Sequence, residues 1–384
     1  MTIVVGGYIV AFPLGGMTWH HLNYLLGLHE LGHEVWFLED SGDDAVPYNP
    51  ATRTCDADPT YGIEYLETTL REHGLALRYC YYAQSRGEYY GLTRAELHDL
   101  LRRADLLLCV SGVTAVRPDR PRPRRAAVID TDPAFTQLRM QDDTEFLDYY
   151  RQFDRAATFG RLIGTSECSI PTHGIDWVPT CQPVCLPHWP VVPAISRDFT
   201  TVGKWEHATD RHVEFEGRRY LSSKGVEWMK VIDLPRRASR WTMTIGMQTM
   251  PGDVRSRFES RGWRCIDPEP VTMSCHAFAQ FIRASAGEFT VVKEIYRSLP
   301  SGWFSDRSSC YLASGRPVVT QPSGFERWLP VGEGLFGFRS VDEAAEALDR
   351  IAANYDRHSR SARRIAEEYL DSKKVLTRLL DQVM

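Results

Sequence analysis

Five places along this 384-residue chain combine residue types that could do chemistry. His20 and His21 follow Gly6-Gly7 and Gly15-Gly16, at the start of a helical pattern running from about 17 to 31. A histidine there suits a general base, because its unperturbed pKa lies near working pH; packing on the helix is its ordinary alternative. Asp130 and Asp132 stand in DTDP directly after the apolar run AAVI. They can accept hydrogen bonds from hydroxyls or orient a histidine, and they can equally cap a turn or helix. Ser222-Ser223-Lys224-Gly225 precedes one helical run, and Ser305-Asp306-Arg307-Ser308 opens another. Helix-start amides beside a lysine or the fork of Arg307 suit an anion such as a diphosphate, and the same segments serve as caps. Cys181 and Cys185 with His173 and His188 have the composition of a metal cluster. Their spacing is not the short Cys-x2-Cys pair of structural zinc, so no metal site is expected.

These groups need a scaffold, and the pattern supplies one. Short apolar runs at 3–10, 35–38, 75–80, 106–110 and 127–129 alternate with amphipathic stretches at 17–31, 61–73 and 93–103. That order makes a parallel sheet wrapped by helices. The proline-rich stretch from about 165 to 197 breaks it and reads as a linker. Alternation resumes at Phe199, where FTTV ends on Gly203-Lys204, with further strands expected near 242–245, 263–266, 289–292, 317–320 and 335–338. Helices are expected at about 224–232, 251–261, 274–285, 306–314 and 341–355, and one helix from about 357 to 383. Open sheets bind ligands at the carboxyl ends of their strands, where the glycines, Asp130, Asp132 and Ser305 to Ser308 all fall. The glycines do not form G-x-G-x-x-G, so a dehydrogenase fingerprint is not met.

Composition narrows the classes further. Hydrophobic residues at 43% and charged residues at 25% suit a soluble globular chain of about two domains. The net charge of −5 supplies no field for nucleic acid, and 117–125 reads as a short basic surface loop. No apolar run reaches ~20 residues, so no membrane span is expected. Nine scattered cysteines argue against a disulfide framework and for a cytoplasmic protein. The aromatic pairs around Tyr79 to Tyr82, Tyr89-Tyr90 and Tyr149-Tyr150 suit either core packing or an acceptor with a ring-bearing face.

FSDR (304–307), YLASGRPV (311–318) and LPVGEGLF (329–336), with blocks at 7–42, 130–137 and 199–205, resemble a bacterial, actinomycete-type group of GT-B glycosyltransferases across nearly the whole chain. The resemblance implies an α/β protein of two facing Rossmann-like domains: 1–190 for the acceptor, 191–360 for a nucleotide-diphosphate sugar, and a helical tail, 361–384, packing back towards the first. It implies transfer of a hexosyl group to a small-molecule acceptor, such as a natural product, without a metal or resident cofactor. His20 or His21 matches the basic histidine of inverting members, with Asp132 beside it and Gly15, Gly16, Thr18, Trp19 and Asp130 as acceptor or sugar contacts. Donor contacts are expected from Gly203, Lys204, Lys293, Ser305, Asp306, Arg307, Ser308, Ser323, Gly324, Phe325 and Glu333. Retaining relatives carry two glutamates where this chain has Gly302 and Cys310, which leaves the stereochemistry open. A sugar-nucleotide epimerase and a non-catalytic nucleotide-sugar-binding partner protein are the alternatives.

Overall fold

In the computed structural model, which describes residues 1–40, 42, 47–205 and 212–384, the apolar runs of each half pair into a sheet of their own. The N-terminal sheet has the order Trp177–Pro179, Arg155–Thr158, Arg125–Asp130, Leu106–Val110, Thr2–Gly6 (β1), Glu34–Glu39 (β2), Tyr79–Ala83, Glu88–Tyr90. Its neighbours are parallel except for the last pair, a hairpin. The C-terminal sheet is wholly parallel and runs Arg264–Ile266, Thr242–Gln248, Asp198–Lys204, Gly287–Thr290, Val318–Thr320, Leu335–Gly337. In each sheet the winding reverses beside the first strand, against Leu106–Val110 in one and Gly287–Thr290 in the other. Such a reversal opens a crevice at the carboxyl ends of the strands. No helix among the described residues is long and apolar enough to cross a membrane.

Helix α1 (Gly15–Glu30) joins the halves. Trp19, Leu22 and Leu26 share an apolar cluster with Phe278, Ile282 and Leu312 of the second half, while Tyr24, Leu25 and Leu28 pack under the first sheet. Its start lies directly on the helix Cys275–Ala284: a Cβ on Gly15 would stand 2.3 Å from the Ser274 carbonyl oxygen, and one on Gly16 3.2 Å from the Phe278 ring. The Trp19 indole N–H donates to the Cys275 carbonyl at 2.9 Å.

Two expectations change. The proline-rich stretch is packed rather than free: Trp177–Pro179 forms an edge strand and Trp189 is fully buried. The Val184 N–H donates to Leu370 O at 2.8 Å, and the Ser372 N–H donates to Val184 O at 2.9 Å, because proline-interrupted backbone must satisfy its remaining amides one at a time. The tail is also not one helix. Tyr355–Ile365 ends in a wide turn, Ala366–Leu370, and extended Asp371 caps a new helix, Ser372–Val383. That helix seats Leu376, Leu379 and Val383 in the N-terminal core against α1. In the 117–125 loop, Arg117 and Arg120 turn inward to the buried Asp40 at 2.9 and 2.6 Å, while Arg122, Arg124 and Arg125 stay exposed.

Gly15 has no room for even a methyl group against backbone. Gly15→Ala should destabilise the chain by about 1–3 kcal/mol, as overpacking at rigid contacts does. Denaturant unfolding tests this, and stability within about 0.5 kcal/mol of the parent would contradict the contact.

Candidate active site

The crevice is shaped first by a loop. The Glu39 carboxylate at the end of β2 accepts the N–H groups of Ile9, Val10 and Ala11, each at 2.7 Å, and so fixes the path from β1 to α1. Burial pushes this carboxyl up to about 7 against the pull of the three amides. Next to the loop, Ser111 ends the strand Leu106–Val110 at φ 65°, a left-handed conformation that costs a non-glycine residue free energy and gathers at functional sites. Its hydroxyl accepts from Thr131 at 2.9 Å and lies 3.1 Å from His20 Nε2.

His20 is 7% exposed, and its Nδ1 has no hydrogen-bond partner but faces the Asp306 carboxylate at 3.7 Å. Burial lowers its pKa, with Asp306 and then Gln182 pulling the other way. The ring is therefore neutral at working pH and able to take a proton. His21 differs. It is fully enclosed, its Nε2 accepts the Tyr8 N–H at 3.4 Å, and its ring lies against Gly7. Burial, then the neighbouring His20, holds its pKa well below the usual value, so it packs the loop instead of meeting substrate.

Across the crevice the helix Asp306–Ala313 presents a first turn that no side chain caps. Arg307 fastens this turn to the sheet: Nε donates to the buried Glu288 at 2.6 Å, Nη1 to Val202 O at 2.6 Å and Nη2 to Thr290 at 2.9 Å. In front of it is a small cavity open to solvent, lined among others by Lys224, Thr290, Ser305, Arg307, Ser308 and Ser323. The Ser308 hydroxyl is buried without a partner. Half-buried Lys224 is brought down to about 7 by burial and by the nearby charges of Arg307 and Lys293.

No family model matches the chain, and no curated protein matches it in sequence. Solved structures match its whole length. AviGT4, a glycosyltransferase involved in avilamycin A biosynthesis, aligns at TM-score 0.56 and 13% identity over 100% of this chain and 97% of that one. An alpha-glucosyltransferase in complex with UDP and a 13-mer DNA aligns at 0.61 and 12%, over 100% and 99%. Sucrose-phosphate synthase from Thermosynechococcus elongatus aligns at 0.53 and 11%, over 100% and 99%.

The fold is GT-B.

In this GT-B cleft the sequence-derived candidates divide sharply. Ser305, Arg307, Ser308, Ser323 and Phe325 line the cavity, although the Phe325 ring is buried against Phe304, 5.3 Å between centroids, and Arg307 is committed to the sheet. Gly324, at φ 93°, lets its backbone pass beside Gly302. Gly203 lies against Arg307 and Met247, and Lys204 is exposed at the same carboxyl edge.

Several expected contacts are corrected by packing. Lys293 does not face the cavity but binds Asp132 at 2.9 and 3.1 Å across the cleft, where Tyr296 also donates its hydroxyl, so each charge is met by the other. Asp130 is buried beneath Thr136, Gln137 and Thr158, which all donate to it, and it braces the turn. Gly15, Gly16 and Trp19 hold the halves together, and the Thr18 hydroxyl donates back to Leu14 O at 2.9 Å, leaving none of them open to a ligand. Glu333 precedes the amino end of Leu335–Gly337, the opposite edge of the sheet, and pairs with Arg357. Tyr79, Tyr81 and Tyr150 are core residues, and Tyr82 stacks on Tyr89 at 4.5 Å along a sheet edge. Lys224 was singled out only as part of a helix start, and Ser111 was not selected at all. The helix-start signal at 222–225 pointed to the first, and nothing in the sequence marks the second.

Both histidines bind fewer protons folded than unfolded, so their contribution to stability is lost as pH falls through about 6.5, the ordinary histidine value. Stability should rise with pH across that window. His21→Gln should flatten the slope in denaturant unfolding at stepped pH, and an unaltered slope would place His21 in contact with solvent.

Proposed function

We propose that this chain is a glycosyltransferase that moves a hexosyl group from a nucleotide-diphosphate sugar to a hydroxyl of a small-molecule acceptor. The carrying observation is the cavity at the carboxyl edge of the second sheet. There Lys224, the unpartnered Ser308 hydroxyl and the uncapped first turn of Asp306–Ala313 converge beside the carboxylate that faces His20. Cation, hydroxyl and aligned amides form a complementary seat for a diphosphate. UDP is the nucleotide to test first, since the alpha-glucosyltransferase and an Anabaena protein of the same fold are described with UDP, the latter also with glucose. The FSDR, YLASGRPV and LPVGEGLF segments support placing the chain in the actinomycete-type group, and AviGT4's part in avilamycin A biosynthesis supports a natural-product acceptor.

The reaction follows from the geometry. With Nδ1–H turned to Asp306, Nε2 is the basic nitrogen of His20, and Ser111 marks where an acceptor hydroxyl would sit. The acceptor gives its proton to Nε2 while its oxygen bonds to the anomeric carbon. The bond from that carbon to the diphosphate breaks, and its electron pair leaves on the phosphate oxygen. Lys224 and the amides of Asp306 to Ser308 meet that growing charge, an interaction stronger in the transition state than before it. Protein groups supply the charge in this reading, with no resident cofactor and in a cytoplasmic setting.

His20→Ala should lower turnover by about 10²-fold or more with UDP affinity unchanged. Unchanged turnover would remove the base. Lys224→Met should weaken UDP binding by about tenfold, the value of one charge-assisted hydrogen bond. In the parent, binding a dianion raises the Lys224 pKa above about 7, so the complex takes up a proton and affinity falls as pH rises above that value. Calorimetry in buffers of different ionisation enthalpy reads this uptake, which Lys224→Met should abolish. A pH-independent affinity in the parent would move the diphosphate elsewhere.

A further inference from the structure

At the end of α1 farthest from His20, three chain segments meet. Glu30 is the last residue of α1, Cys185 and His188 lie on the proline-rich crossover, and Ser372 belongs to the returning chain. Cys185 precedes a single tight turn, Leu186–His188, whose closing bond runs from the His188 N–H to the Cys185 carbonyl at 3.0 Å. That turn puts thiol and imidazole on one side. Glu30 comes from 155 residues earlier, with its carboxylate 3.2 Å from the Cys185 sulfur.

We propose that Glu30, Cys185 and His188 form a zinc site that clasps α1 to the crossover between the two domains. Their ligand atoms all lie within 4.8 Å of one another. Tetrahedral zinc holds sulfur at about 2.3 Å and nitrogen or oxygen at about 2.0–2.2 Å, so side-chain adjustments of about 1 Å close the site, with water in the fourth position. The donor set selects the metal. A thiolate with an imidazole favours zinc over magnesium or calcium, which take oxygen ligands. Cys185 is fully buried, and the half-buried His188 ring is held beside Trp19 and His73, with centroids 5.9 and 5.4 Å away. The Ser372 hydroxyl stands 3.6 Å from the sulfur, placed to donate to a thiolate. On binding, the sulfur–metal bond replaces the S–H bond and the proton goes to solvent.

Two backbone bonds already close the same junction, Val184 to Leu370 and Ser372 to Val184. The metal would add the end of α1 to it and hold the crossover against the helix that carries His20. The site stands apart from the transfer reading, since none of its ligands reaches the cleft.

The test uses the full chain, stripped with chelator and dialysed, then titrated with Co²⁺ and back-titrated with Zn²⁺. The expected result is one equivalent of Co²⁺ with visible bands of tetrahedral cobalt and a thiolate charge-transfer band, all displaced by Zn²⁺. His188→Ala and Glu30→Gln alter less buried residues than Cys185→Ser, and circular dichroism confirms that they fold. Both should bind Zn²⁺ at least about tenfold more weakly and lose the rise in unfolding midpoint that Zn²⁺ gives the parent. The absence of a thiolate band overturns the site, and so do equal bands and affinity in both variants, which would assign the cobalt to another cysteine such as the exposed Cys55.

Discussion

Trp19 can donate its indole N–H to the Cys275 carbonyl across the domain boundary only because Gly15 and Gly16 carry no Cβ where Ser274 and Phe278 press on α1. With that contact made, the turn of an α-helix fixes the rest, since each successive side chain is rotated by about 100°. Trp19 lies in the seam between the domains, so His20 is turned to the cleft and His21 to the loop after β1. Asn23, one turn on, donates to Trp19 O at 2.7 Å and accepts the Cys185 N–H at 2.9 Å, tying the crossover to the same helix. A one-residue slip would send the His20 ring into the core, and the burial of both neighbours prevents it.

The second half uses its charges mainly to hold itself together. Arg307 and Glu288 neutralise each other under the first turn of Asp306–Ala313, and Lys293 is met by Asp132 across the cleft. Glu227, also buried, is held by Lys230, Arg297 and Gln321, and Gln321 in turn accepts the Val292 N–H at the cavity wall. Glu288 and Glu227 are buried, so removing a partner of either leaves an uncompensated charge, and these contacts are fixed features of the wall and not mobile ligands. Lys224 lines the same cavity without an acidic partner among the described residues. Its depressed pKa follows from burial beside two other cations, and that same setting makes a dianion the complement the cavity lacks.

How much of this was legible in the sequence depended on whether a local pattern carried the information. The strands from Leu106 and from Thr242 and the helix at Asp306 announce themselves through apolar runs and helix-start residues, and the structure has them within a few residues. The strand Arg155–Thr158 reads RAAT, too short and too mixed to show a period, and it is held by parallel pairing with strands on both sides and by the Thr158 hydroxyl donating to Asp130. The wall residues Ser305, Ser308 and Ser323 were readable because motif and helix start coincide. Lys293 was misplaced because its partner, Asp132, lies 161 residues away, a pairing set by domain packing that no local spacing encodes. Glu333 failed for a topological reason: a residue just before a strand sits at the amino edge of a parallel sheet, while ligands gather at the carboxyl edge.

Asp306 is the point at which donor and base sense each other under the proposed function. As the first residue of its helix it is favoured by the helix dipole, and it faces His20 Nδ1 from the opposite domain. A diphosphate seated on the next amides would bring two further negative charges close to the same imidazole. At about 10 Å and an effective dielectric of about 20, each is worth about 1.7 kcal/mol, more than one pKa unit. The loaded donor would therefore oppose the burial that lowers the His20 pKa, making the base stronger when a sugar is in place to receive the acceptor oxygen. In the empty cleft His20 is neutral but weakly basic, held down by burial. Coupling of this kind needs no conformational change, only the 3.7 Å between His20 Nδ1 and the Asp306 carboxylate.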